Sequence, residues 1–154
     1  MTRWLDDDEQ HAWRAWLRLQ SRLTAHLGRQ LQQESGLSLA DYEVLVQLSE
    51  SPDDRLRPYA LQELLDWEQS RLSHHLSRMQ RRGLVEREEC PSDRRGAFVV
   101  LTAAGRAAIE AAAPGHVAAV RAFFLDHLDR DELRTLGRLT SRVVTRLDAA
   151  AGRR

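Results

Sequence analysis

Residues 70–102 read SRLSHHLSRMQRRGLVEREECPSDRRGAFVVLT, and the spacing of apolar residues changes within them. Apolar residues recur at helical spacing in its first half, and Gly83 stands where such a helix would end. The period then changes to two β-prone runs, 84–88 and 97–101, around a loop rich in turn residues. The stretch therefore predicts a helix over 69–82 followed by a β-hairpin.

The predicted helix has two faces of different chemistry. Its apolar stripe consists of Leu72, Leu76 and Met79. The opposite face is polar and cationic, without an acid, and carries Ser70, Arg71, Ser73, His74, Ser77, Arg78 and Arg81. Such side chains donate to phosphates and base edges, so the face is typical of a helix that enters a DNA major groove. An ordinary solvated face is the alternative, although such faces usually mix both charge signs. His75 lies at the border and could equally pack against the core.

The elements around this stretch indicate the fold class. Before it, the sequence predicts a long helix over 8–34 with Gly36 in its C-terminal cap region, a helix over 39–50 that Ser38 caps, and a short helix over 58–66. After it, an alanine-rich helix runs to about residue 127, and a last helix, capped by Asp129, occupies 130–149. The fold is therefore mainly α, with about six helices and a two-stranded wing, in the order of a winged helix-turn-helix.

The outer helices raise a packing problem. The first and last are amphipathic, and neither has an evident partner inside the small winged module, so their apolar stripes must meet each other, another subunit, or both. The pair Pro114-Gly115 lies within the alanine-rich helix and should kink or break it.

Composition limits the class of protein. With 42% hydrophobic and 30% charged residues in 154, the chain is typical of a soluble globular protein. No apolar run approaches the roughly 20 residues that cross a bilayer, and the acidic N-terminus lacks the apolar region of a signal peptide. A single cysteine, Cys90, cannot form an intrachain disulfide. We therefore expect a cytoplasmic protein without a membrane partner.

The formal net charge of zero argues weakly against a nucleic-acid binder, but the charge is unevenly placed. Residues 70–95 hold seven arginines against four acids. The chain has no lysine, and arginine is suited to bidentate contact with phosphate and guanine. A genome rich in GC, which favours arginine codons, explains the arginine content equally well.

The hairpin tip carries Asp93, Arg94, Arg95 and Gly96. Two guanidinium groups at the tip suit a minor groove or flanking phosphates, because narrow minor grooves attract arginine. Asp93 would accept hydrogen bonds in the turn or hold an arginine in place. A charged hairpin exposed to solvent is the alternative.

The tip and the strand after it resemble a known signature. The run 93–102, DRRGAFVVLT, looks like the wing of the MarR family (multiple antibiotic resistance regulators), where an Asp-x-Arg-Gly tip precedes an alternating apolar strand ending in Leu-Thr. Residues 70–79 and the exit at 82–85 are similar to the family's recognition helix and its passage into the wing. With the long outer helices, the resemblance covers nearly the whole chain.

The resemblance implies a homodimer that binds double-stranded DNA sequence-specifically as a transcriptional regulator, commonly a repressor, at a pseudo-palindromic promoter site. Residues 1–37 and 102–154 would form the dimerisation region, and residues 38–101 the winged helix-turn-helix DNA-binding region. By the family pattern, Arg95 would enter the minor groove and Asp93 would orient the tip. Two-fold symmetry would place the recognition helices about one turn of the duplex apart.

Many family members respond to a small aromatic ligand or to oxidation. Trp13, Trp16 and Tyr42 are the candidates for an aromatic-lined ligand crevice between the dimerisation and winged regions, with simple packing as the alternative. Thiol-sensing members carry a reactive cysteine near the start of the first helix, where this sequence has none. Cys90 has acidic neighbours that disfavour its thiolate and is a weak redox candidate.

Other functional classes find little support. Adjacent histidines, His74 and His75, point to different helix faces, so they do not bind one metal ion together; histidines on different helices leave metal sensing open. No cofactor and no enzyme activity are expected, because the sequence lacks a phosphate-cradling glycine loop, a nucleophile elbow and a paired-carboxylate motif. A winged-helix module for protein–protein contact would need an apolar patch or acids on the 69–82 helix, and the sequence shows neither.

Overall fold

The computed structural model describes residues 1–89 and 96–152. Within them the chain forms six α-helices and three β-strands, as the mainly α prediction requires. In chain order they are α1 (Asp7–Ser35), α2 (Leu39–Ser49), β1 (Arg55–Leu56), α3 (Pro58–Leu65), α4 (Gln69–Arg81), β2 (Val85–Glu89), β3 (Ala97–Leu101), α5 (Ala103–Phe123) and α6 (Arg130–Ala150). Short 3-10 turns occupy Pro52–Asp54 and Leu125–His127.

Reciprocal capping boxes begin three of the helices. In each, the N-cap side chain accepts a hydrogen bond from the N3 backbone amide, while the N3 carboxylate accepts one from the N-cap amide. The pairs are Asp6 with Glu9, Ser38 with Asp41, and Asp129 with Glu132. At the other end of α1, Gly36 adopts a left-handed conformation with φ of 69°. The predicted caps at Ser38, Asp129 and Gly36 are thus confirmed.

The strands form one antiparallel sheet in the order β1-β3-β2. Val85 pairs with Leu101 in the hairpin, and Arg55 pairs with Val100 on the other edge of β3. The prediction of a two-stranded wing was therefore incomplete. Two residues are too few for a strand to show the alternation by which sequence patterns reveal it.

The core lies between α2, α3, α4 and the sheet, and its fully buried side chains include Val44, Leu45, Leu48, Leu61, Met79 and Val99. Leu31 at the end of α1 and Ile109 and Ala112 of α5 belong to the same cluster. The expectation that the outer helices lack a partner in the winged module was therefore wrong for the end of α1. These apolar side chains extend the small core, since more apolar area leaves water.

The sequence predicts a kink or a break at Pro114, and the break is wrong: α5 continues through this residue as one helix. The kink stays a prediction. Proline removes only one backbone donor, and the next residue lies close to α1. A Cβ at Gly115 would collide with the Glu34 carboxylate, which accepts a hydrogen bond from the Gln30 amide. Packing of α5 on α1 at Gly115 thus supports the helix at the point where the sequence predicts a break.

The expectation about apolar runs also needs correction. Ala103–His127 is long and apolar enough, by length and composition, to cross a membrane. Within that segment, however, Ile109 and Ala112 are buried in the protein core, and Arg106 forms an ion pair with Asp54. These contacts make the first half of α5 a core helix of the folded module.

The chain divides into two compact units, Met1–Val117 and Ala118–Arg154. The first unit contains α1 to β3 and most of α5. The second contains the end of α5 and all of α6. The division predicted from the sequence, with residues 38–101 between two parts of a dimerisation region, stays a prediction.

Two leucines of α3 test the core. Leu61 is fully buried, whereas Leu64 is 56% exposed. We expect Leu61→Ala to lower the free energy of unfolding by about 2–5 kcal/mol, because it leaves a cavity in a close-packed core. Leu64→Ala should change it by less than about 1 kcal/mol. Urea denaturation at one protein concentration measures both, and equal effects would contradict the core described here.

Candidate nucleic-acid interface

Helix α4 presents its apolar stripe to the core. Leu72, Leu76 and Met79 are at most 3% exposed, which confirms the predicted stripe. His75, whose position the sequence left open, is buried beside them at 6% exposure. The side of α4 that faces the protein is thereby fixed, and so is the side that faces solvent.

The solvent side of α4 is polar and cationic. All seven residues predicted to read DNA from this helix are exposed: Ser70, Arg71, Ser73, His74, Ser77, Arg78 and Arg81. No residue of Gln69–Arg81 is acidic. A phosphate backbone approaching this helix would meet guanidinium, imidazole and hydroxyl groups, all of which can donate hydrogen bonds.

One arginine at the start of this face is stacked on an aromatic ring. The Arg71 guanidinium carbon lies 4.1 Å from the centre of the Trp67 ring, and Trp67 is buried. This cation–π contact restricts the side chain of Arg71 while leaving the residue exposed. Helical periodicity does not reveal this contact, because Trp67 belongs to the turn between α3 and α4.

A second arginine on the face contacts a buried histidine. Nη2 of Arg78 lies 3.0 Å from Nδ1 of His75. The other ring nitrogen, Nε2, lies 3.0 Å from Oδ1 of Asp41 on α2. A polar chain therefore runs from α2, through the interior of the module, to the exposed side of α4.

Asp41 is the centre of this buried polar cluster. Its carboxylate accepts hydrogen bonds from the Ser38 backbone amide at 2.9 Å and from Nη1 of Arg82 at 2.6 Å. Nη2 of Arg82 also donates to the carbonyl of Gly36 at 3.0 Å. Burial raises the pKa of Asp41, but hydrogen bonds from His75, Ser38 and Arg82 outweigh it and hold the pKa well below the ordinary range.

The hairpin beside α4 is braced by two arginines. The guanidinium carbons of Arg55 and Arg57 lie 4.6 Å and 4.0 Å from the centre of the Phe98 ring. The Arg57 guanidinium also occupies the space that a Cβ at Gly96 would need. A side chain at position 96 would displace this guanidinium from its place beside the hairpin.

A cleft of about 610 Å³ lies between α3, α4 and the hairpin. Its polar lining includes Arg57, Gln62, Gln69, Ser73 and Arg87. The predicted tip residues Asp93, Arg94 and Arg95, like Cys90, lie outside the described residues. The geometry thus unites α4 with the base of the hairpin, while the roles of the tip stay predictions.

The three predicted ligand residues lie in different places within one protomer. Trp13 and Trp16 are exposed on the first half of α1. Trp13 lines a cleft with Trp4 and Leu5, whereas Tyr42 lines a separate cleft of about 380 Å³. Within residues 1–89 and 96–152, Trp13 and Tyr42 thus line separate clefts, and Trp16 lines neither of them.

The cleft at Tyr42 has a polar, titratable lining. The Tyr42 and His116 rings are 4.3 Å apart between centroids, and Glu43 lines the same cleft. Burial raises the pKa of Tyr42, with a further contribution from Glu50, and burial also raises the pKa of Glu43. Burial lowers the pKa of His116, so this imidazole favours its neutral form.

Across residues 1–89 and 96–152, no group of three or more histidine, cysteine or carboxylate side chains is arranged to hold a metal ion. The candidate site consists of arginines, hydroxyls and a buried polar cluster. Its chemistry suits recognition of an anionic polymer.

The lowered pKa of Asp41 predicts a pH-dependent contribution to stability. The ionised carboxylate stabilises the fold at neutral pH, so Asp41→Asn should lower the free energy of unfolding by about 2–3 kcal/mol. The difference in free energy of unfolding between wild type and Asp41→Asn should be largest above about pH 4, the pKa of an aspartate in the unfolded chain. It should decline as the pH falls from there toward the lower pKa of Asp41 in the folded protein. Urea denaturation at several pH values in this range measures the difference.

Asp131→Asn is the matched control, because the Asp131 side chain is 89% exposed. We expect it to change stability little at any pH. A stability difference between wild type and Asp41→Asn that grows on acidification would contradict the assignment of Asp41 as a buried carboxylate held ionised.

Comparisons with known proteins agree with this architecture. A sequence model of the MarR family matches residues 35–96. Transcriptional regulator HosA of Escherichia coli O111:H- is 33% identical over 101 residues, which are 66% of this chain and 73% of that protein.

Two crystal structures from Streptomyces coelicolor are similar over almost the full chain. AbsC, a MarR family transcriptional regulator, is 44% identical with a TM-score of 0.92, covering 96% of this chain and 99% of that one. Sco3205, a MarR family transcriptional regulator solved in complex with DNA, is 41% identical with a TM-score of 0.90. The match covers 94% of this chain and 90% of that one. With the α4 face and the hairpin already in place, these likenesses lead to one conclusion: the chain belongs to the MarR family of transcriptional regulators.

Proposed function

We propose that this protein binds double-stranded DNA sequence-specifically, as a homodimer on a pseudo-palindromic promoter site, and represses transcription. The observation that carries the proposal is the exposed, acid-free face of α4, from Ser70 to Arg81. The DNA complex of Sco3205, 41% identical, supports placing DNA against the corresponding surface here.

Two kinds of contact follow from the geometry. Arginines on α4 can donate bidentately to guanine in the major groove, while Ser70, Ser73 and Ser77 are small enough to let the helix approach base edges and phosphates. The cleft between α4 and the hairpin, with Arg57 and Arg87 in its lining, suits a phosphate backbone. Because such contacts release counterions, affinity should fall steeply with salt.

Dimerisation is supported by apolar side chains that are exposed in one protomer. On α1 these are Trp13, Trp16, Leu17 and Leu19, and on α6 they are Leu139, Val143, Val144 and Leu147. Exposed apolar stripes of this size are typical of surfaces that associate. A two-fold symmetric pair would present two α4 faces and so require an inverted repeat in the DNA.

Relief of repression by a small aromatic effector completes the proposal. The Tyr42 cleft, with the His116 ring beside it, offers an aromatic wall and titratable groups at its rim. A ligand that favours a spacing of the two α4 helices unlike that of consecutive major grooves would lower DNA affinity. Such a regulator would act in the cytoplasm, where a bacterial chromosome lies.

The direct test is a binding titration on a duplex that the purified protein selects from random DNA. Arg78→Ala should weaken binding about 5- to 150-fold, because one good arginine–guanine contact is worth about 1–3 kcal/mol. Arg95→Ala, at the predicted tip, should weaken it as well. Fluorescence anisotropy at several salt concentrations measures affinity and salt slope together.

Arg134→Ala serves as the control, because it removes the same charge from an exposed position on α6. Its affinity should stay within about two-fold of wild type. Failure to select any sequence, or unchanged affinity in both Arg78→Ala and Arg95→Ala, would overturn the proposal and favour a protein-binding role for the winged module.

A further inference from the structure

We propose that His75, which is buried and does not reach the DNA, is a positioning residue that holds Arg78 in its DNA-reading orientation. Asp41 in turn holds the His75 ring. The inference rests on the proposed DNA-binding function and deepens it by naming the residue that prepares one contact before DNA arrives.

The hydrogen-bonding chemistry assigns the histidine tautomer. A guanidinium group only donates, so Nδ1 of His75, 3.0 Å from Nη2 of Arg78, must accept. The remaining ring nitrogen, Nε2, then carries the proton and faces Oδ1 of Asp41 at 3.0 Å. A neutral His75 with its proton on Nε2 is the one arrangement that suits both neighbours.

Two neighbours and burial restrict the ring. Oδ1 of Asp41 lies 3.0 Å from Nε2 in a charge–dipole contact that lacks hydrogen-bond alignment, and Asp41 is itself held by Arg82 and the Ser38 amide. The Trp67 ring meets the His75 ring edge-on, at 5.4 Å between centroids and an angle of 90°. With 6% exposure, His75 has little freedom to turn away from Arg78. Its Nδ1 is therefore a stationary acceptor at the edge of the DNA-reading face.

An acceptor of this kind has a particular advantage. A carboxylate would orient Arg78 equally well but would neutralise its charge and repel phosphate. A neutral imidazole nitrogen orients the guanidinium and leaves its charge and its other donors available to DNA. Restricting the side chain beforehand reduces the rotamer entropy that is lost on binding.

Two substitutions separate the contacts that His75 makes. Asparagine can place its amide oxygen near the position of Nδ1 and accept from Arg78, but it is too short to reach Asp41. Glutamine can place its amide nitrogen near the position of Nε2 and donate to Asp41, but it offers no acceptor at the position of Nδ1. Both remove the ring, so both should lower thermal stability to a similar extent.

DNA affinity should distinguish the two variants. We expect His75→Gln to weaken binding to the selected duplex at least five-fold and to lower its preference over random DNA. His75→Asn should stay within about three-fold of wild type at a temperature where both are folded. In the double variant His75→Gln with Arg78→Ala, affinity should match that of Arg78→Ala alone, since the contact being positioned is already gone.

Equal affinity losses in His75→Asn and His75→Gln, or losses that multiply in the double variant, would overturn the inference and leave His75 a structural residue. If Arg78→Ala weakens binding while His75→Gln binds like wild type, the inference alone fails and the proposed function stands. If Arg78→Ala itself binds like wild type, Arg78 makes no important DNA contact, and the inference about His75 fails; the proposed function fails as well only if Arg95→Ala also binds like wild type.

Discussion

The contacts of the buried Asp41 carboxylate determine how helix α4 is held in the module. It caps α2 through Ser38, contacts His75 of α4, and accepts from Arg82, which also binds the carbonyl of Gly36 after α1. One charged group thus joins the end of α1, the start of α2, the middle of α4 and the residue that follows α4. A buried ionised group is costly to desolvate, so its neighbours must be arranged around it, and that requirement fixes the rotation of α4.

Once the rotation of α4 is fixed, one side of the helix packs in the core and the other faces solvent. Leu72, Leu76 and Met79 supply the apolar burial that stabilises the module, while the opposite side carries cations and hydroxyls into solvent. The chain as a whole has no formal net charge. Recognition of an anionic partner therefore relies on where the arginines are placed, and Trp67 and His75 place two of them.

The sequence predicted those parts of the structure that local pattern controls. Helix periods, the caps at Ser38 and Asp129, and the change to a hairpin after Gly83 all leave direct marks in residue order. Strand β1 was missed because two residues show no alternation. The helix break predicted at Pro114 was wrong. The close approach of Gly115 to Glu34 is a tertiary contact, which residue order does not show.

The candidate site divides along the same line. Which side of α4 is exposed could be read from the spacing of three apolar residues. The contacts of Asp41, His75 and Arg82 could not, since they join positions about forty residues apart. The capping arrangement accounts for an aspartate at position 41 without the buried cluster. The contact of the same carboxylate with His75 therefore could not be inferred from the sequence. The contact between Arg57 and Phe98 could not be predicted for the same reason, because these side chains meet only in the folded state.

If α4 enters the major groove twice on one symmetric site, methyl groups in that groove must block binding at two places. Methylation interference on the selected duplex measures this, because methyl groups at guanine N7 block the major groove alone. We expect two clusters of interfering guanines, related by the dyad and about ten base pairs apart. A single cluster, or undiminished binding to fully methylated duplex, would contradict it.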